Sequence, residues 1–135
     1  MAIKNVLIID NDEIFISKIN GFLWERGVKN VLTASTVSEA LEMMGKQIPD
    51  LILIDLIPGD ITSFDAVQII SKIDNSIRIL ITSDFYNKDY CNAAFEAGAD
   101  AFVDKSNFAD DLTTILNAVP KRLQALFEKY LLSKN

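Results

Sequence analysis

Four polar residues with chemical potential each stand at the end of a short apolar run. Asp10 follows Val6 to Ile9, Asp55 follows Leu51 to Ile54, Thr82 follows Ile77 to Ile81, and Lys105 comes just after Ala101 to Val103. If these runs are strands pointing the same way, two carboxylates, a hydroxyl and an ammonium meet on one rim. Two carboxylates about 4 Å apart repel by roughly 4 kcal/mol at an effective dielectric of about 20, so the pair calls for a cation. Magnesium suits such oxygen ligands, because it keeps coordination positions for water or phosphate. Lys105 adds a fixed positive charge and Thr82 a hydroxyl donor. Together they would bind a phosphoryl group while Asp55 attacks phosphorus and carries the group covalently. One Asp or Lys alone at a strand end would read as a turn residue, a helix cap or a solvated charge. The shared position of all four favours a site.

The elements that must position them follow from periodicity. Between the runs, apolar residues recur at helical spacing: Ile14, Phe15, Ile19, Phe22 and Leu23 after the first, and Phe64, Val67, Ile70 and Ile73 after the run that ends at Asp55. Asp12 is placed to cap the first helix and Gly27 to close it. Thr36 with Glu39 makes a capping box before a helix over about Val37 to Lys46. Thr62 or Ser63 could open the third helix, and Asn87 the fourth, which carries Tyr90, Cys91, Ala94 and Phe95 and stops at Gly98. Val28 to Ala34 supplies a weaker second strand. A fifth helix contains Leu112, Ile115 and Leu116, with Asp110 and Asp111 near its positive end.

Strands alternating with helices predict an α/β fold: a doubly wound, five-stranded parallel sheet in a flavodoxin-like three-layer sandwich, with right-handed crossovers. The common order for five such units, 2-1-3-4-5, switches direction between strands one and three, whose ends carry Asp10 and Asp55. Residues 1–119 would form this domain, and 120–135 a helical extension or the start of a linker. The apolar stripe Leu123, Leu126, Phe127, Tyr130 and Leu131 should pack back on the domain or pair with another copy.

The 135 residues carry 13 basic and 19 acidic side chains, a net charge of -6, which argues against nucleic acid as a direct partner. No apolar run reaches 18 residues, no cleavable signal pattern opens the chain, and the single cysteine, Cys91, has no internal partner for a disulfide. A cytoplasmic protein with no membrane contact is expected. Trp24, near the end of the first helix, and Cys91, beside Ala94, are read as packing residues.

The sequence resembles the receiver domain of two-component response regulators over about residues 4 to 119. The matching pieces are VLIID with its following acids, PDLILID, ILITS and EAGADAFVDKS. The resemblance implies that Asp55 accepts a phosphoryl group from a phosphohistidine on a sensor histidine kinase or phosphotransfer protein, with magnesium required. It implies metal ligands at Asp10, Asn11, Asp55 and the Ile57 backbone carbonyl, contacts from Thr82 and Lys105 to the phosphoryl oxygens, and a switch formed by Thr82 and Phe102. Output would pass to a downstream protein target or a fused output domain. A homodimer would form through the fourth helix, fifth strand and fifth helix. Such a protein catalyses only its own phosphotransfer and dephosphorylation, and so is not an enzyme in the usual sense.

The chain departs from the family pattern in several places. Asn11 stands where a second acid is usual, which predicts weaker magnesium binding unless Asp12 supplies the charge. Pro58 follows Asp55 by three residues rather than four, and it constrains Ile57. Ser63 replaces a usual glycine and Ser106 a frequent proline. Ile57 and Asp84 match the positions that shape the path of the hydrolytic water, and bulky Ile57 is expected to slow loss of the phosphoryl group. A phosphorylation-independent interaction module, or pseudo-receiver, is the alternative. A phosphatase of the haloacid dehalogenase type would need Asp where Ile57 stands. A flavin carrier would need a hydroxyl- and glycine-rich loop where Asn11, Asp12 and Glu13 stand.

Overall fold

In the computed structural model the described residues are 3–57 and 61–118, with Ile61 described for its backbone alone. Pro58 and the 120–135 extension lie outside them. The order of elements is β1 (Asn5–Ile9), α1 (Glu13–Glu25), β2 (Asn30–Ala34), α2 (Val37–Lys46), β3 (Leu51–Asp55), α3 (Ile61–Ile73), β4 (Arg78–Ser83), α4 (Lys88–Ala97), β5 (Ala101–Asp104) and α5 (Phe108–Asn117). A short 3-10 turn at Lys105–Asn107 separates the last two.

All strand pairs are parallel, in the order β2-β1-β3-β4-β5. The three inner strands are apolar on both faces because helices cover both. Alternate residues point opposite ways, so Val6, Ile8, Leu53 and Leu80 meet Phe15, Ile19 and Leu112 of α1 and α5. Leu7, Ile9, Ile52, Ile54 and Ile81 meet Ala40, Met44, Val67, Ile70 and Ala94 of α2, α3 and α4. Three layers result, and every strand delivers its carboxyl end to one rim.

Local chemistry sets the helix ends. The Asp12 carboxylate accepts from the Ile14 and Phe15 amides, the Thr36 hydroxyl from Glu39, and the Asn87 side chain from Asp89 and Tyr90, as the capping patterns predict. Gly98 closes α4 at φ 117, and a Cβ there would also press on Ser71, 3.0 Å from its Oγ. Two local readings need correction. Helix α3 begins at Ile61, so Ser63 lies inside its first turn rather than capping it. Trp24 is exposed, with the Lys29 ammonium 4.8 Å from its ring centroid, instead of packing into the core.

Candidate functional site

The two acids expected at the switch point come together with the lysine. Lys105 Nζ lies 2.9 Å from Asp10 Oδ2 and 3.0 Å from Asp55 Oδ1. The ammonium also sits 4.7 Å from the centre of the Phe15 ring, which backs it from α1. Side-chain exposure separates the two acids: Asp10 is at 1% and Asp55 at 19%, so Asp55 is the one a partner can reach.

Lys105 is aimed by a clasp at the end of β5. The Asp104 carboxylate accepts from both the amide and the hydroxyl of Ser106, while the Asp104 amide donates to Asp111 at 3.0 Å. A proline at 106 would have no amide to donate. Thr82 stands directly across the ladder from Asp55 and is buried. Its hydroxyl makes only a long 3.5 Å contact to the Ile54 carbonyl, which leaves it available to a ligand at the rim.

A cleft of about 340 Å³ opens beside the two acids, with Lys105 and Thr82 outside its lining. Asp10, Asn11, Asp55 and Ile57 line one side. Ser35, Thr36 and Ser38 at the start of α2, with Thr62 and Ser63 of α3, line the other. These hydroxyls were not foreseen as part of the site. The signal for them is the run Ser35-Thr36-Val37-Ser38, which follows the strand beside β1 and therefore shares its rim. Asp12 is turned away, its carboxylate engaged at the start of α1 and its amide donating to Asp10 Oδ1 at 2.9 Å. Asp84 is exposed beyond β4, yet its charge is felt at Asp55. Phe102 lies lower on β5, half-buried against the α2–α4 side of the core.

Burial lifts the Asp55 carboxyl above its usual 3.8; the Lys105 hydrogen bond opposes the rise, and the charges of Asp10 and Asp84 add to it. Burial pulls the Lys105 ammonium down, but hydrogen bonds and charges from Asp10 and Asp55 outweigh it, and its pKa ends above the usual 10.5. The folded state therefore holds this proton more tightly than the unfolded one. The stability it contributes is fully present below pH 10.5 and is lost as pH rises through the folded pKa. Urea unfolding between neutral and alkaline pH should show that loss in the wild type and a smaller one in Lys105→Met. Equal slopes would count against the ion pair.

The oxygen donors also fit a hard divalent cation. Asp10 Oδ2 is buried, with the Lys105 ammonium at 2.9 Å facing it and no further donor upon it. An acceptor left in that state suits a metal. Asp55, Asn11 and Ile57 border the same space. Among the described residues no group of three or more acids, histidines or cysteines gathers, so the charge set consists of two carboxylates. No helix of the described residues is long and apolar enough to cross a membrane.

The model of the response regulator receiver domain matches residues 6–117. The chain is 31% identical to the response regulator protein VraR of Staphylococcus aureus, over 99% of this chain and 64% of that protein. It is 25% identical to the transcriptional regulatory protein YvrH of Bacillus subtilis, over 90% of this chain and 51% of that one. The chain thus spans between half and two thirds of the length of these relatives. A response regulator from Thermotoga maritima shares the fold with a TM-score of 0.75 at 19% identity, over 87% of this chain and 100% of that one.

Proposed function

The chain belongs to the response regulator receiver domain family, and on that premise we propose that it accepts a phosphoryl group on Asp55 and signals through the surface this changes. The observation that carries the reading is the Lys105 ammonium held between a buried Asp10 and a reachable Asp55. The donor is a phosphohistidine on a sensor histidine kinase or a phosphotransfer protein. An Asp55 oxygen forms the new P–O bond as the P–N bond breaks, and the departing imidazole keeps the electron pair and takes up a proton. Lys105 balances charge on the phosphoryl oxygens, and the nearly free Thr82 hydroxyl donates to one of them. Magnesium, held by Asp10, Asp55, Asn11 and the Ile57 carbonyl, supplies further charge neutralisation when bound.

Drawing Thr82 toward the phosphoryl group would leave space behind it on β4. Phe102 is paired with the neighbouring Ile81 and half-buried, and it turns inward to use that space. The α4–β5–α5 face then changes shape for a downstream target, a fused output domain or a second copy. Ile57, 52% exposed at the cleft, hinders the water that would remove the phosphoryl group, and Asp84 marks the other side of that path. Chemistry is confined to Asp55 itself, without turnover of a separate substrate. The relatives' names make a regulatory output part of the same reading.

A specific observation favours the second reading, a phosphorylation-independent module. Asp12 is committed to capping α1, so it does not replace the charge missing at Asn11. Asn11→Asp should then tighten magnesium binding on the order of tenfold, given an added charge at the rim in partly solvated surroundings, as read by titration calorimetry. An unchanged affinity would show that position 11 lies outside the metal shell. The experiment between the two readings is intact mass after incubation with acetyl phosphate, with and without magnesium. An adduct that needs magnesium supports the receiver chemistry; no adduct together with no magnesium binding supports the interaction module.

A further inference from the structure

At the switch point β1 and β3 part. Their ladder ends with Ile9 opposite Ile54, and the Asp10 amide donates to the Ala34 carbonyl on β2. On β3 the Leu56 amide donates to the Thr82 carbonyl of β4 at 2.7 Å. Because successive residues of a strand direct their peptide groups to opposite neighbours, the Asp55 carbonyl faces the side that β1 has left. The ladder offers it no donor there. Ser63, buried in the first turn of α3, reaches it instead: its hydroxyl donates to the Asp55 carbonyl oxygen at 3.0 Å. A helical serine ordinarily bonds the carbonyl three or four residues back, whereas this one spans eight.

We propose that Ser63 is a positioning residue for phosphoryl acceptance, acting through the main chain of Asp55. The inference rests on the reading of Asp55 as the acceptor. The peptide between Asp55 and Leu56 is held at one end by β4 and at the other by α3. Fixing that plane fixes the direction of the Asp55 Cα–Cβ bond, and with it the carboxylate that lies 3.0 Å from Lys105. It also fixes where the chain turns toward Ile57 at the cleft. In-line attack needs the reacting oxygen about 3–3.5 Å from phosphorus and aligned with the departing bond, so a small loss of aim is costly. Ser63 needs no contact with the phosphoryl group to have this effect.

The test compares wild type, Ser63→Ala and Ser63→Thr. Initial rates of adduct formation are measured by intact mass across a range of acetyl phosphate concentrations with magnesium, alongside thermal unfolding. Alanine suits a helix and should leave the fold intact. The expected result is a maximal rate lowered roughly tenfold in Ser63→Ala, a half-saturating donor concentration little changed, and most of the rate retained in Ser63→Thr. Wild-type rates in Ser63→Ala would overturn the inference and leave the acceptor reading standing. Equal losses of rate and melting temperature in Ala and Thr would also overturn it, since packing alone would then explain both. A wild type that takes no phosphoryl group under any of these conditions would remove both together.

Discussion

Asp55→Asn is expected to fold normally and to gain no phosphoryl group from acetyl phosphate under conditions that label the wild type. Asparagine keeps the shape of the side chain but has no anionic oxygen with which to attack phosphorus. The fold should tolerate the change well. Lys105 keeps Asp10 at 2.9 Å, so the buried cation is still paired, and a carboxyl whose ionised form is disfavoured by burial and by Asp10 has been removed. Thermal unfolding should therefore occur at or slightly above the wild-type temperature. Intact mass decides the chemistry. Persistent labelling of the variant would place the phosphoryl group elsewhere, with Asp10, Asp12 and Asp84 the neighbouring carboxylates to map by peptide analysis.

Lys105→Ala should combine a large kinetic defect with a loss of stability. Removing a preorganised donor from developing negative charge typically costs about 10²–10³ in rate, or roughly 3–4 kcal/mol, and the initial rate of adduct formation should fall within that range. The stability effect has a different origin. Asp10 has 1% side-chain exposure and would lose its only cationic partner among the described residues while a second carboxylate stays beside it. Breaking a buried pair costs on the order of 3–5 kcal/mol, less whatever protonation of an acid recovers. Magnesium should restore part of the melting temperature in this variant and more than it adds to the wild type, because it supplies the missing charge. A labelling rate within threefold of wild type would show that Lys105 is structural alone.

The sheet was legible in the sequence because its signal is collective. Strands β1, β3 and β4 are buried on both faces, which writes them as unbroken apolar runs. The caps Asp12, Thr36 and Asn87 are local chemistry and stand where their types predict. Asp10, Asp55, Thr82 and Lys105 were readable as a set because a parallel sheet gathers strand ends by topology, without reference to side-chain detail.

Contacts between elements were not legible. Ser63 looked like a helix cap because serine favours caps; its actual partner is a carbonyl exposed by the divergence of two strands, a condition that no local window contains. Trp24, near the end of α1, was read as a packing residue. The apolar stripe turns with the helix, however, and Trp24 falls beside buried Leu23 on the solvent side. The Asp104–Ser106–Asp111 clasp likewise depends on where α5 begins, and the 3-10 turn that sets this has little sequence signature of its own.

The bridge formed by Lys105 has a consequence for how the protein is made. Both acids it joins lie in the first 55 residues, and the lysine is synthesised about fifty residues after Asp55. At about 5–20 residues per second, the ribosome needs roughly 3–10 s to supply it. During that interval a nascent chain able to pair β1 with β3 would bring two carboxylates together with no internal counter-charge. Closure of the central strands is thereby penalised until β5 arrives, unless a metal ion or a proton from solvent stands in, and birth of the site is tied to completion of the sheet.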